Sequence, residues 1–377
     1  MIPEGWKTYK LTDLGELHNS KRVPLNSRQR ESKKGIYPYY GASGIFDYID
    51  DYLFEGEHLL ISEDGENLRT RQTPIAFKAD GKFWVNNHAH IFKGRQNWLN
   101  DYMAYYLQNT DLSPYITGAV QPKLNKENLL AIPINYPGDY LGERIASILS
   151  SLDDKIELNL QMNKILEAIA RAIFKEWFVD FRFPGFDGEL VDVVNADRSV
   201  SRLPKGWRKG KLGDIINLKY GKALKLENRI GGKYPVVGSS GIVGFHNEPL
   251  VKSPGIVVGR KGTIGEVIWL DEEFYPIDTT FYIEDQVGAT GLYFHYYLLL
   301  SQDFKKIGSD SAVPGLNRNQ ALMTAIICPD IDTINKFNVL LKPLFEKKYL
   351  NNQEVKTLTT MRDALLPKLM TGKIRVA

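Results

Sequence analysis

Cysteine is almost absent. Cys328 is the one cysteine in 377 residues, which rules out an internal disulfide framework and most zinc sites. In the apolar run before Pro329 it reads as a buried strand residue. No apolar run approaches the ~18 residues that a membrane-spanning helix needs. The opening MIPEGWKTYK also lacks the basic-then-apolar pattern of a secretion signal. A cytoplasmic location with no membrane partner is therefore expected. Charge of one sign is lacking as well. Against 48 Lys and Arg stand 45 Asp and Glu, leaving +3, compatible with a polyanion partner but not diagnostic of one.

Catalytic signatures are missing too. There is no G-x-x-x-x-G-K-S/T phosphate loop and no glycine-rich dinucleotide fingerprint after a strand; Gly259, Gly262 and Gly265 have the wrong spacing for either. There is no G-x-S-x-G elbow. The Asn/Asp-Pro-Pro-aromatic motif of amino methylation is absent, and Asn135-Tyr136-Pro137-Gly138 does not match it. His88 and His90 would share one face of a strand, but no third ligand is indicated, so no metal is expected. The acidic pairs Glu63-Asp64 and Asp153-Asp154 lack the partners that acid–base work requires. The chain reads as non-catalytic, with no cofactor of its own.

What is present is a duplication. IPEGWKTYKLTDLGEL at residues 2–17 returns as LPKGWRKGKLGDIINL at 203–218, and YPYYGASGI at 37–45 returns as YPVVGSSGI at 234–242. VQPKLNKENL at 120–129 is echoed by VPGLNRNQAL at 313–322. Between these marks the signals are short and β-like: HLLIS, PIAFKA, FWVNNHAHIFK, GIVVGR, GEVIWL and TTFYI. A helical stretch follows in each copy, at 99–109 and 291–303.

Each copy closes on a long seam. Steps of four and three from Ile145 land on Leu149, Leu152, Ile156, Asn159, Asn163, Leu166, Ala170, Ile173 and Trp177. A 3.5-residue repeat held this long is a coiled-coil pattern, for a helix roughly 55 Å long. A shift of 192 residues repeats it from Phe337 through Leu341, Leu344, Lys348, Asn351, Val355, Leu358, Arg362 and Leu365 to Leu369. Asn159 and Asn351 fall at the same step, where a buried Asn sets helix-pair register at some cost in stability.

The expected fold is α+β. Two similar domains, each a small, mostly antiparallel sheet with peripheral helices, are separated by two long helices paired as an antiparallel coiled coil with a pseudo-two-fold axis. Residues 1–140 form the first domain, 141–181 the central helix, 182–202 a linker, 203–333 the second domain and 334–377 the C-terminal helix.

The doubled P-x-G-W…L-x-D openings, Gly41-Ala42-Ser43-Gly44 with Gly238-Ser239-Ser240-Gly241, and the doubled helices together resemble the specificity (S) subunit of type I restriction-modification enzymes. Trp177-Phe178-Val179-Asp180-Phe181 is similar to that family's central region, and the resemblance covers essentially the whole chain. It implies that each globular domain is a target-recognition domain reading one half of a split, asymmetric site in double-stranded DNA. The helices would set the gap and dock two methyltransferase (M) subunits, with two restriction (R) subunits joining that core. S-adenosylmethionine, ATP and Mg would then sit on the partner subunits. The alternative is an orphan DNA-binding or scaffold protein without a methylase partner.

Comparing the copies suggests where bases are read. Ile61-Ser62-Glu63-Asp64-Gly65 aligns with Val258-Gly259-Arg260-Lys261-Gly262, one backbone signature with reversed charge. Arg and Lys suit guanine, whereas carboxylates accept from cytosine. Glu63, Asp64, Arg260 and Lys261 are therefore DNA-binding candidates. Arg69 and Arg71 could share one edge of an extended segment. His88 falls roughly opposite Asp278, which Thr279 and Thr280 follow, and Lys123 and Arg318 lie near the module ends. The resemblance would put Trp177, Phe178 and Phe181 in a subunit interface; packing against the linker is the other reading.

Overall fold

The computed structural model describes residues 3–194, 199–309 and 315–376. The chain divides into two compact units, residues 1–159 with 354–377, and residues 160–353. Each holds one globular head and part of each long helix.

In the first unit the strand His58–Ser62 lies at the centre. Its sequence has no polar alternation, and every residue is buried, as in a strand covered on both faces. Period two then divides it. Leu59 and Ile61 face the main core with Leu99, Met103, Ile145, Leu149, Leu366 and Leu369, whereas Leu60 faces a smaller core with Phe83, Val85 and Ile91. The main sheet runs Gly15–Leu17, Ala89–Gly94, His58–Ser62, Ala76–Ala79 and is antiparallel throughout. A second sheet runs Gly44–Ile49, Lys34–Gly41, Lys82–Val85, Phe54–Glu55, with one parallel pairing, between its middle strands. The run FWVNNHAHIFK is thus two strands in different sheets. The Asn86 side chain accepts from the His88 N–H at 2.8 Å, an Asx turn that competes with the ladder and stops the first strand.

The second unit repeats this frame. Gly255–Gly259 is also wholly buried, with Ile256 and Val258 on the main core and Val257 on a small one beside Val237, Leu270 and Phe274. Its main sheet runs Ile216–Tyr220, Thr280–Asp285, Gly255–Gly259, Val267–Leu270. The hairpin of Tyr234–Gly238 and Gly241–His246 has a parallel neighbour, Tyr275–Pro276. The expected linker is partly folded: Leu190–Val194 pairs antiparallel with Val200–Pro204, and Phe183 stacks on Trp207 with ring centroids 5.2 Å apart. Residues 195–198 of that linker, and 313–314 of the echoed module end, lie outside the described residues.

The long helices are Asp139–Phe178 and Ile331–Met370, 40 residues each. Both start and end somewhat earlier than the expected spans 141–181 and 334–377, while covering every seam position. For the second, Asp330 supplies the reason. Its carboxylate accepts from the Thr333 N–H (2.9 Å) and hydroxyl (2.7 Å), capping the first turn, and also from the Trp207 indole at 2.9 Å. No seam position is exposed. In the first unit Arg362 bonds Asp153 at 2.7 Å and Asn159 donates to Glu354 at 2.9 Å. In the second, Asn351 donates to Asn163 at 2.9 Å and Lys348 pairs with Glu167. Numbers rise along one helix as they fall along the other, so the pairing is antiparallel within each unit. Asn159 and Asn351, both fully buried, thus find different partners although they share a step of the repeat.

Candidate nucleic-acid interface

The turn with reversed charge is built alike in both heads. The Glu63 N–H donates to the His88 carbonyl and the Arg260 N–H to the Thr279 carbonyl, each at 2.9 Å. The Glu63 carbonyl accepts from Leu124 N–H (2.8 Å), and that of Arg260 from Leu316 N–H (2.9 Å). Gly65 and Gly262 follow at φ +112° and +78°, where a Cβ would be strained. These bonds match His88 with Thr279, not with Asp278. They also match Lys126 with Arg318, since Asn125 and Asn317 each cap the short helix that follows.

On this shared backbone the side chains do different things. Glu63 is only 9% exposed. Its carboxylate accepts from Arg22 Nη1 at 2.6 Å and lies 3.4 Å from Lys123 Nζ. Burial alone would raise its pKa, but the Arg22 hydrogen bond and the charges of His90, Arg22 and Lys123 hold it below the usual carboxylate range. The expectation that Glu63 reads a base is therefore corrected: its oxygens are spent inside the head, and Lys123 helps neutralise them. Arg22 also donates to the carbonyls of Asn87 (3.3 Å) and Ala89 (2.8 Å), so Glu63 anchors the turn at residues 86–89.

Asp64 points the other way. Its carboxylate takes His88 Nδ1 at 2.8 Å, and the His88 side chain is 46% exposed. His90 is fully buried: Nε2 donates to the Leu124 carbonyl (2.7 Å) and Nδ1 accepts from Asn19 (2.8 Å), with burial pushing its pKa down. Both nitrogens are committed. Among the described residues no cluster of three metal-ligating side chains occurs.

Arg69 and Arg71 do not lie on an extended edge. Arg69 belongs to the short helix Asn67–Thr70 and donates to the Gly118 carbonyl at 2.7 Å; Arg71, at φ +48°, caps that helix and donates to the Gln108 and Thr110 carbonyls. In the second head Arg318 is likewise occupied, by the Leu218 carbonyl (2.6 Å) and Asn217 (2.7 Å). Arg260 lies 4.9 Å over the Tyr220 ring and donates to the Asp278 carbonyl at 3.2 Å. It stays half-exposed, as does Thr279, and Lys261 is exposed.

Trp177 and Phe178 are each 7% exposed and pack with Phe294, Phe337 and Trp207 in the core of the second unit. Phe181 meets the Trp207 ring edge-on at 5.5 Å. Trp177 and Phe178 thus spend their surface within this chain, which favours the packing reading for them, while Phe181 keeps part of its surface open.

Beside the Asp64 turn the first head opens into a cavity of about 530 Å³, bounded by residues 41–46 of the adjoining hairpin, Asp64 and residues 86–88. Each hairpin presents an apolar outer row, Ile45, Phe46 and Tyr48 in the first head and Ile242, Val243 and Phe245 in the second. Arg30 and Arg229 hold the preceding loop against these hairpins. Each donates to the carbonyl five residues back, Leu25 or Leu224, and then contacts the hairpin, Arg30 through Asp47 and the Phe46 ring, Arg229 through the Val243 carbonyl. The same segments carry exposed Lys21 and Arg28 in one head and Lys222, Lys225 and Lys233 in the other. These cations escaped the motif reading; the signal for them was two basic stretches, each just before its glycine-turn hairpin.

The arrangement thus offers hydrogen-bonding groups on a fixed turn, cations alongside and apolar hairpin residues, which suits recognition of a polyanion with readable edges. Comparison with known proteins agrees. The family described as Type I restriction modification DNA specificity domain matches residues 3–168 and again 204–360. A type I restriction enzyme specificity subunit of Haemophilus influenzae is 39% identical over 132 residues, 35% of this chain and 33% of that one, so this match spans about a third of that relative. The type I restriction enzyme MjaIX specificity subunit of Methanocaldococcus jannaschii is 28% identical over all of this chain and 95% of its own. A crystal structure of a type I restriction-modification S subunit from M. genitalium shares the fold with TM-score 0.69, at 18% identity, over 97% of this chain and 96% of that one.

Proposed function

Because the chain belongs to the Type I restriction modification DNA specificity domain family, represented twice along its length, we propose that it is the sequence-reading subunit of a type I restriction-modification system. Each head reads one half of a split, asymmetric site in double-stranded DNA. The long helices fix the gap between the half-sites and dock two methyltransferase subunits, and two restriction subunits join that assembly. The chain itself performs no catalysis. S-adenosylmethionine, ATP and Mg act on the partner subunits, which flip and methylate the adenine that this chain positions.

The observation that carries this reading is the pair of turns described above: one backbone course with two matched bonds, presenting Asp64 and His88 in one head and Arg260, Lys261 and Thr279 in the other. Two copies of one reader would favour a palindrome, whereas two diverged copies favour unlike halves. Exposed apolar residues on the helices support docking, among them Ile165, Val339 and Leu350 in the second unit.

The test is a map of N6-methyladenine across the source genome with and without this chain. The expected result is that one split motif loses its methylation, and that exchanging the first head alters one half of it. No change in any motif would overturn the assignment.

A further inference from the structure

We infer that the Asp64–His88 pair is the base-reading element of the first head, with His88 Nε2 accepting from the exocyclic amino group of an adenine or cytosine. This rests on the reading of the heads as DNA-recognition domains and names the chemistry of one contact within it.

Three observations carry the inference. First, Asp64 fixes the ring. Its two oxygens lie 2.8 and 3.0 Å from His88 Nδ1, and a carboxylate can only accept, so Nδ1 carries the proton. In the neutral ring Nε2 is then an acceptor. Second, the pair stands on a braced turn. Asn86 takes the His88 N–H, the His88 carbonyl takes the Glu63 N–H, and Arg22 bonds the flanking carbonyls of Asn87 and Ala89 from the buried Glu63 side. A reader whose support is locked in this way holds its geometry when a ligand arrives. Third, the pair faces an opening. His88 is nearly half exposed, and both residues line the 530 Å³ cavity beside the glycine-turn hairpin. The second head has Lys261 and Thr279 at these places, so the carboxylate-fixed imidazole belongs to one half-site alone.

In the major groove the amino groups are adenine N6 and cytosine N4. An acceptor there selects one orientation of a base pair, and losing it relaxes that position about tenfold. The test binds full-length protein, with whatever subunits accompany it, to a pool of randomised duplexes and sequences the bound fraction. His88→Ala and Asp64→Asn are expected to relax the same single position in one half-site and leave the other half unchanged. At that position, a purine lacking N6 or a pyrimidinone lacking N4 should weaken wild-type binding about tenfold and leave His88→Ala binding unchanged.

A motif that both variants retain would overturn the inference. So would sensitivity to 7-deazaguanine in place of the amino-deleted bases, because the ring would then be a donor. Wild-type protein that selects no motif at all would instead sink the DNA-recognition reading itself. Asp64→Asn keeps the size of the side chain, so unfolding midpoints close to wild type separate a lost contact from a lost fold.

Discussion

Lys78 and Trp269 hold the same place in two copies of one sheet, Lys78 paired with Leu59 and Trp269 with Ile256. Around Trp269 the second unit is aromatic, with Phe345 at 4.7 Å, Tyr293 at 5.2 Å and Tyr296 at 5.7 Å between ring centroids. Around Lys78 the first unit is charged. Asp101 lies 2.7 Å away, and an open cavity of about 630 Å³ extends to Tyr105, Asp153 and Arg362. The 192-residue offset sets Asp153 against Phe345 and Arg362 against Ala170. One joint between head and helix is packed, and its copy is open. Trp269→Ala should therefore destabilise the second unit by about 3 kcal/mol, whereas Lys78→Ala should cost under about 1 kcal/mol. Urea titrations of both variants decide this, and equal costs would contradict it.

The Arg22–Glu63 bond should be a stability element of the first head. Arg22→Met leaves a buried carboxylate with only Lys123 and His90 near it, at an expected cost of about 3 kcal/mol. Adding Glu63→Gln should restore part of that loss. The unfolding free energies of the two single variants and the double variant give the coupling directly, and additive costs would show that the pair is incidental.

Asp285 supplies a pH signature. It accepts from His295 Nε2 at 2.8 Å and from the N–H groups of Val287 and Ala289. Burial opposes its charge, yet these bonds bring it down to about 2. A depressed carboxyl contributes stability above its unfolded value of about 3.9 and loses it as pH falls toward the folded value. Asp285→Asn should thus cost on the order of 1 kcal/mol at pH 7 and progressively less through pH 4 to 2. A mutational cost independent of pH across that window would refute the assignment.

Asn351 should be worth more to register than to stability. It is fully buried, and its Oδ1 has no partner among the described residues while Nδ2 bonds Asn163. Asn351→Leu removes a desolvated polar atom and should raise Tm by roughly 2–4 °C. Cross-linking between cysteines placed on facing seam positions should at the same time become less selective for the native register. A lowered Tm would mean that the polar layer stabilises the helices outright.

The exposed loop cations should behave as phosphate contacts. Lys222→Ala is expected to weaken binding to all duplexes alike and to reduce the slope of log K against log salt by about 1. Relaxation of the preferred base at one position would instead make Lys222 a reader.

Much of this architecture was legible because the chain states it twice. The seams marked the long helices, and HLLIS and GIVVGR marked strands, though not that each is covered on both faces. Side-chain commitments were not legible. Glu63 looked like a surface acid, because nothing nearby in sequence reveals that Arg22, 41 residues earlier, folds onto it. Arg69 and Arg71 looked free, because the carbonyls they cap come from residues 108–119. The split of FWVNNHAHIFK was written in Asn86-Asn87, yet an Asx turn inside an apolar run is easily outvoted by its neighbours. The same fault hid the aromatic cluster's role: Trp177 and Phe178 are large enough to anchor either a core or an interface, and only Trp207 and Phe337 decide which.

The first unit is discontinuous, and that has a consequence for the order of events during synthesis. Its core needs Leu366, Leu369 and Met370 from the end of the chain to cover Ile145 and Leu149. The second unit is one continuous segment, residues 160–353. On the ribosome the second-made unit can therefore complete its fold first, while the first-made one waits with an apolar groove uncovered until the final turns of helix emerge. A nascent chain stalled before residue 354 would be half finished in an unusual sense: its later half closed, its earlier half open and dependent on holding chaperones.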